Sequence, residues 1–249
     1  MFPGTVNWYG FDDESRFREN TKKMPDVMAE WRDQTVNYTL NSQGFRAPEF
    51  LKVDWASSVV VLGCSFVFGE GVDDTQCLTY QLSEIIGRPV INLGIPGAGP
   101  DLIFYNNIVL QRQYPQPQQV IIVWPGADRL TEFTNQGANC YGIWDCNPSS
   151  PEYNTDWNRI YVAMNAKSEH RAHVMKMYSC ALQSIWGDRL REFTWALETA
   201  DQTGCKLLNG NRSSWDNPDL NRLDRARDLL HPGPDWYRAW AKQIAKSLR

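Results

Sequence analysis

Three residues that lie far apart in the chain carry side chains suited to nucleophilic catalysis. Ser65 follows a β-branched run in the stretch VVVLGCSFVFGEG, residues 59–71, and His231 follows Asp228 by three positions in RDLLHPG. A serine hydroxyl is a weak nucleophile that needs a nearby base. An aspartate can bind Nδ1–H of an imidazole and leave Nε2 free to take the serine proton. We interpret Ser65 as a candidate nucleophile, His231 as its base and Asp228 as the group that orients the base.

A glycine-rich segment supplies a third element of such a site. The stretch NLGIPGAGPD, residues 92–101, ends a predicted strand, and its backbone N–H groups can stabilise a developing oxyanion. Each feature also has a plain structural explanation: a strand-to-helix turn at Ser65, a capping pair at Asp228 and His231, and tight packing at the glycines. Their occurrence together favours a catalytic site over three separate coincidences.

The elements that must position these residues alternate between strands and helices. Short apolar runs predict strands at 59–63, 90–94, 119–124 and 205–210, and capped amphipathic patterns predict helices at 74–87, 99–115, 170–204 and 234–249. This alternation predicts an α/β protein with a three-layer α/β/α architecture around a doubly wound parallel sheet. Ligands of such sheets bind beyond the carboxyl ends of the strands, where Ser65, residues 92–101 and His231 all fall.

The chain divides into two predicted parts. Residues 1–58 form an N-terminal extension packed on the core, with a helix at 24–33 and an extended hairpin or edge strand at 34–50. Residues 59–249 form the main domain. Within it, the Gly-, Asn- and Pro-rich residues at about 130–168 form a long insertion, which we predict to be a lid or a partner surface.

These motifs resemble those of the SGNH, or GDSL-like, hydrolase family over residues 59–131 and 203–249. The stretch VVVLGCSFVFGEG resembles its first block, NLGIPGAGP its second, VWPGADR its third and DLLHPG its fifth. The resemblance implies a flavodoxin-like sheet, with Ser65, His231 and Asp228 as the catalytic residues. It also implies an oxyanion hole that includes the backbone N–H groups of Ser65 and Gly97.

The third block departs from the family pattern at an important position. Ala127 stands where the family carries an asparagine that donates to the oxyanion, and Asp128 follows it. Loss of one such donor typically lowers turnover by roughly 100- to 1000-fold. Another group substitutes for it (Asn106, Asn107 and Asn135 are the candidates), or the enzyme is slow, or catalysis has been lost. Cys64 also replaces the usual aspartate before the serine, for which we expect a structural effect only.

Two functions follow from the resemblance. The first is a serine esterase that hydrolyses or transfers a short acyl ester, such as an O-acetyl group on a carbohydrate. The stretch NSQGFRAPE resembles the lead-in of family members linked to carbohydrate esters, and the chain has 11 tryptophans, some of which could line a glycan groove. The alternative is a catalytically impaired binding or structural protein. The stretch GCSF resembles GDSL-type proteins of tailed phages, so this alternative includes a virion-associated role.

Composition excludes several other classes. The net charge is -4 without a basic stripe, so we expect no nucleic-acid partner. No secretory signal or span of roughly 20 apolar residues is visible, so we expect no membrane association and a soluble protein, cytoplasmic where it is synthesised. The six cysteines lack metal or disulfide spacing, although Cys140 and Cys146 could pair in an oxidising compartment. His170 and His173 lack a third ligand, so we predict no metal and no cofactor. A small-molecule or glycan ester is the expected ligand, and a protein partner or homo-oligomer stays open.

Overall fold

The computed structural model describes residues 3–142, 168–208 and 224–248, together with residues 156, 159, 160 and 163. In chain order its elements are β1 (Gly4–Val6), α1 (Glu14–Lys23), β2 (Tyr38–Leu40), β3 (Val59–Gly63), α2 (Ser65–Phe68), α3 (Leu78–Ile86), β4 (Val90–Gly94), α4 (Pro100–Gln113), β5 (Gln119–Trp124), β6 (Leu130–Thr134), β7 (Gly137–Tyr141), α5 (Ser168–Trp186), β8 (Leu190–Thr194), α6 (Leu197–Thr203), β9 (Lys206–Leu207) and α7 (Pro234–Lys246).

Five parallel strands form the central sheet in the order β4-β3-β5-β8-β9. Counted along the sheet strands alone, this order is 2-1-3-4-5, which is the flavodoxin-like arrangement. Every residue of β3 is buried, as are all residues of β5 after Gln119, because helices cover both faces of the sheet. The predicted three-layer α/β/α fold is therefore confirmed.

Helix-terminal residues explain where the helices that follow the sheet strands begin and end. Helices α4 and α7 each have a proline in the first turn, and α3 ends at Gly87, which has a φ of 64°. A proline at the first turn gives up an N–H that has no helical partner, and a glycine adopts the left-handed conformation at little cost. These three predicted helices are confirmed, with narrower bounds than the sequence indicated.

The predicted helix over residues 170–204 is confirmed only in its first half, and its continuation as a single helix is wrong. Helix α5 ends at Trp186, a single 3-10 turn covers Gly187–Arg189, and the chain then forms strand β8 and helix α6. Residues Leu190–Thr194 are mostly good helix formers, so their local pattern did not indicate a strand. Pairing with β5 decides their conformation, because it buries Leu190 and Phe193 at the centre of the molecule.

Two other regions differ from the sequence prediction. The start of the predicted insertion forms an antiparallel hairpin of β6 and β7, while most of residues 143–167 lies outside the described residues. The predicted strand at 205–210 is reduced to β9, and residues 209 and 210 also lie outside the described residues.

The N-terminal segment is organised differently from the prediction. The predicted helix at 24–33 is wrong, because only the single 3-10 turn Ala29–Trp31 forms there. The sequence pattern did not indicate α1, whose first turn is capped by the Asp13 carboxylate. The predicted extended segment is present as β2, which pairs with β1. Large side chains of this segment belong to the same buried cluster as the sheet: Trp31, Tyr38, Phe50 and Trp55. The domain boundary after residue 58 stays a prediction.

Within the described parts of the chain, none of the helices has the length and apolar character needed to cross a membrane.

Candidate active site

Ser65 lies at the carboxyl edge of the sheet. It is the first residue of α2, directly after β3 and Cys64, and only 5% of its surface is exposed. Helix α2 has four residues and ends at Gly69, which has a φ of 83°. A Cβ on Gly94 would lie 2.3 Å from the Phe68 backbone nitrogen, so this glycine lets β4 approach the helix closely. The backbone thus holds the Ser65 hydroxyl at the edge where doubly wound sheets bind ligands.

Asp228 and His231 form a buried hydrogen-bonded pair. Asp228 Oδ2 contacts His231 Nδ1, and Asp228 Oδ1 accepts from the backbone N–H groups of Leu230 at 2.9 Å and of His231 at 3.1 Å. Leu229 has a φ of 61°, which makes it the one non-glycine residue with a positive φ in the described ranges. This left-handed turn is uncommon for a leucine and curls the loop so that the carboxylate reaches Nδ1 of the ring.

The electrostatics of the pair favour a charged aspartate and a basic imidazole. Burial by itself would lower the pKa of His231, but the charge and hydrogen bond of Asp228 and the charge of Glu70 together outweigh burial, so the pKa is raised. Burial opposes ionisation of Asp228, yet the imidazole and two backbone N–H groups hold its pKa below the ordinary value. The arrangement therefore matches an oriented general base, with the proton on Nδ1 and Nε2 directed away from Asp228.

Glu70 is a site residue that the sequence reasoning missed. Its side chain is 0% exposed, and its Oε2 lies 3.8 Å from His231 Nε2. Burial raises the pKa of Glu70 to about 7, while the nearby imidazole opposes the shift. The signal in the sequence is an acidic residue between two glycines in FGEG, at the end of the motif that contains Ser65.

The segments that bear Ser65 and His231 lie in contact. The ring of Phe66 packs edge-on against the His231 ring at 5.3 Å between centroids, and the Arg227 N–H donates to the Gly71 carbonyl at 2.9 Å. No hydrogen bond within the described residues joins Ser65 Oγ to the imidazole. Catalytic hydrogen bonds are often long in the absence of substrate, so this geometry is compatible with proton transfer. The catalytic assignment of these residues stays a prediction.

The predicted oxyanion residues occupy different surroundings. Gly97 has a φ of 78°, and within the described residues neither its N–H nor that of Ser65 has a hydrogen-bond partner. The Ala127 N–H donates to Thr199 Oγ1 at 3.3 Å, and the Ala127 carbonyl accepts from Arg171 Nε at 3.1 Å. Asp128 folds back against Gly126, where a Cβ would lie 2.2 Å from Asp128 Oδ1. This edge of the sheet therefore offers backbone N–H donors, but the side chain at position 127 is a methyl group that cannot donate a hydrogen bond.

The proposed substitutes for the missing asparagine are differently placed. The Asn107 amide is buried in α4, where it donates to the Ile103 carbonyl and accepts from Trp186 Nε1. Asn135 is exposed in the turn between β6 and β7. Because the Asn107 amide already makes these two hydrogen bonds, it is unsuitable as an oxyanion donor.

Arg129 brings a positive charge to the site. Its guanidinium lies 5.4 Å from the centre of the Trp195 ring, and Trp195 stacks on Phe66 at 4.4 Å. Only 9% of Arg129 is exposed, and its charge lowers the pKa of His231, against the larger effects of the carboxylates. Sequence reasoning did not single out this residue, although it is the last residue of the third motif, VWPGADR.

Glu70, Asp228 and His231 also have the side-chain types of metal ligands, and one oxygen or nitrogen atom of each lies within 4.8 Å of the others. The Asp228–His231 hydrogen bond would have to break for the ion to bind Nδ1. We therefore read the group as an acid–base set and assign no metal to it. His173 Nδ1 lies 2.7 Å from the Glu169 carbonyl within its own helix. Cys140 is a free thiol, and Cys146 lies outside the described residues.

Neither a protein-family model nor a curated protein sequence matches the chain. Among solved structures, it is similar to a member of the lipolytic protein G-D-S-L family from Veillonella parvula (10% identity, 76% of this chain and 96% of that chain, TM-score 0.43). It is also similar to an acetyl xylan esterase from Butyrivibrio proteoclasticus (10% identity, 79% and 64%, TM-score 0.41) and to the SGNH-hydrolase family esterase AlinE4 (15% identity, 80% and 100%, TM-score 0.35).

Proposed function

We propose that the chain is a serine esterase of the SGNH type. The observation that carries the proposal is the buried Asp228–His231 pair, whose segment contacts the one that bears Ser65 through the Phe66 ring. A carboxylate fixed by two backbone N–H groups and joined to an imidazole is what a general base of this kind requires. Asp228 and His231 are both buried, whereas a pair that only caps a helix or turn can stay exposed to solvent.

The proposed reaction proceeds in two steps. Ser65 Oγ attacks the ester carbonyl while His231 Nε2 takes the hydroxyl proton, and the backbone N–H groups of Ser65 and Gly97 stabilise the oxyanion. The tetrahedral intermediate then expels the alcohol, which receives the proton from Nε2, and leaves an acyl group on Ser65. Water attacks this ester with His231 as base and releases the acid. If a sugar hydroxyl attacks in place of water, the acyl group is transferred to that hydroxyl instead.

The substrate class in this proposal is a short acyl ester, such as an O-acetyl group on a carbohydrate. Phe66, Trp195 and the Arg129 guanidinium form a stacked layer next to His231. Aromatic faces suit the apolar face of a sugar ring, and a guanidinium suits its hydroxyl or carboxylate groups. This layer would favour glycan esters over esters of long alkyl alcohols.

Labelling with a fluorophosphonate tests the nucleophile directly. We expect labelling of the native protein, none of Ser65→Ala, and full labelling of Ser58→Ala, a matched variant. Ser58 is also a buried serine, but it lies before β3, at the opposite end of the strand from Ser65. An unlabelled native protein, or equal labelling of Ser65→Ala, would overturn the esterase proposal.

A second candidate function is a binding or structural protein on the same fold, including a component of a virion. Two observations favour it: position 127 is alanine, and Ser65 Oγ has no hydrogen bond to His231 among the described residues. Such a protein would bind its glycan or protein partner equally well after Ser65→Ala. Its hydrolysis of p-nitrophenyl acetate would not exceed that of the alanine variant, and Ser65-dependent turnover would exclude this candidate.

A further inference from the structure

Glu70 is a fully buried carboxyl group that faces the proton-accepting side of His231. Glu70 Oε2 lies 3.8 Å from His231 Nε2 and has no hydrogen-bond partner in the described part of the chain. A buried carboxylate oxygen without a hydrogen-bond donor costs free energy, so its retention calls for an explanation. The nearest charged partner available to Oε2 is the imidazolium that forms when His231 takes a proton.

The N-terminal segment holds this carboxyl in place. The Phe11 backbone N–H donates to Glu70 Oε1, so one oxygen is bound and the other is directed at the ring. Gly10 has a φ of 61°, and a Cβ there would lie 2.3 Å from Glu70 Oε1. Only glycine permits this close approach in that conformation. The segment is itself anchored to the Asp228 loop, because Asp12 accepts from Arg227 Nη2 at 2.6 Å.

We propose that Glu70 is a positioning residue, which faces His231 Nε2 and stabilises the imidazolium formed when the ring accepts the Ser65 proton. This inference rests on the proposed esterase function. Asp228 supports the ring from the Nδ1 side, and Glu70 supports it from the Nε2 side. The imidazolium then has a carboxylate near each of its two nitrogens, and each carboxylate is held by at least one backbone N–H group, so the N-terminal segment becomes part of the working site.

The charges around the pair determine how it titrates. His231 faces Asp228, Glu70 and the positive charge of Arg129. The pKa of Glu70 is influenced by His231, Asp228 and Asp12, and burial together with the negative charge of Glu70 raises the pKa of Tyr9. Because Glu70 and His231 are this close, their protons come off in steps that belong to the pair. Removal of the Glu70 charge must therefore change the titration of the imidazole.

Nuclear magnetic resonance of the histidine rings tests this coupling without any substrate. The chain has three histidines, so the His231 signals can be assigned by substitution of the other two. We expect Glu70→Gln to lower the pKa of His231 by roughly 1–3 units, because an opposite charge within this distance is lost. Glu192→Gln is the matched control: Glu192 is a partly buried glutamate in β8 that accepts from Trp124 Nε1 and Ser179 Oγ, and its loss should leave His231 unchanged.

The pH profile of ester hydrolysis gives the second readout. In Glu70→Gln the acid limb of kcat/KM should move to lower pH by the same interval as the His231 titration, and maximal kcat should fall with little change in KM. A His231 titration that does not move in Glu70→Gln would overturn the inference. If the native protein lacks Ser65-dependent activity while the titration still moves, the esterase proposal fails and the coupling stands.

A measurement on the native protein covers the case in which Glu70→Gln does not fold. The carboxyl carbon of Glu70 and the ring of His231 should show the same titration steps, because the two groups share their protons. Independent titration of the two groups would overturn the inference.

Discussion

Substitution of Asp228 by asparagine should remove most activity without disrupting the fold. The amide oxygen can still accept from the backbone N–H groups of Leu230 and His231, now bound at 2.9 and 3.1 Å. The amide nitrogen would take the place of Oδ2 opposite His231 Nδ1. Because that nitrogen is a donor, Nδ1 must become an acceptor, and the ring proton moves to Nε2. In the proposed reaction, the atom that takes the Ser65 proton is then already protonated.

The magnitude follows from two losses at the same ring. Removal of the charge in contact with Nδ1 lowers the pKa of the imidazole by roughly 1–3 units, which is about 1.4–4 kcal/mol less stabilisation of the imidazolium. The wrong tautomer adds a further cost. Together these losses correspond to about 10⁴-fold in kcat, or about 5.4 kcal/mol in activation free energy, as is typical of a triad that loses its carboxylate.

The assay compares initial rates with p-nitrophenyl acetate and follows the ring nitrogens of His231 by nitrogen-15 resonance. Asp224→Asn is the matched control, because Asp224 lies in the same part of the chain and caps α7 through the Trp236 N–H at 2.6 Å. Its substitution should affect stability more than turnover. If Asp228→Asn keeps more than about a tenth of native kcat, or if its Nδ1 remains protonated, the assignment of Asp228 as the orienting group is wrong.

Three further results are expected. Ala127→Asn restores the side-chain donor that the motif lacks and should raise kcat at least about tenfold, whereas an unchanged rate would mean that another donor serves the oxyanion. Asp12→Asn leaves the buried Arg227 guanidinium without its charged partner and should lower the free energy of unfolding, measured in urea titrations, by about 3–5 kcal/mol. Glu14→Gln removes one partner of an exposed ion pair and should leave the free energy of unfolding nearly unchanged. Equal effects of the two substitutions would contradict this expectation. Burial raises the pKa of Glu70 to about 7 and that of Asp224 to about 6, so the folded state holds these protons more tightly than the unfolded chain. The free energy of unfolding should therefore be highest near pH 5 and fall toward pH 8, for Glu70 by on the order of 3 kcal/mol. A Glu70→Gln variant whose stability declines as steeply would refute this cause.

The sequence by itself indicated four of the five strands of the central sheet and one local pair. Strands β3 and β5 are continuous apolar runs, so only burial on both faces suits them, and prolines and glycines mark the ends of the helices that follow. Asp228 and His231 are three residues apart, and a loop that short can bring the carboxylate to the ring without help from the rest of the chain. Signals of this kind are local, and local patterns can be read directly.

Tertiary packing alone decided the rest. Residues Leu190–Thr194 favour a helix by composition, but they form a strand because their backbone groups pair with the free edge of β5. Glu70 looks like an ordinary turn acid in the sequence, yet the Phe11 N–H and the His231 ring enclose it from two distant parts of the chain. The burial that places a carboxyl group next to a histidine depends on which distant segments pack together. Residue type and local spacing alone do not indicate which segments these are.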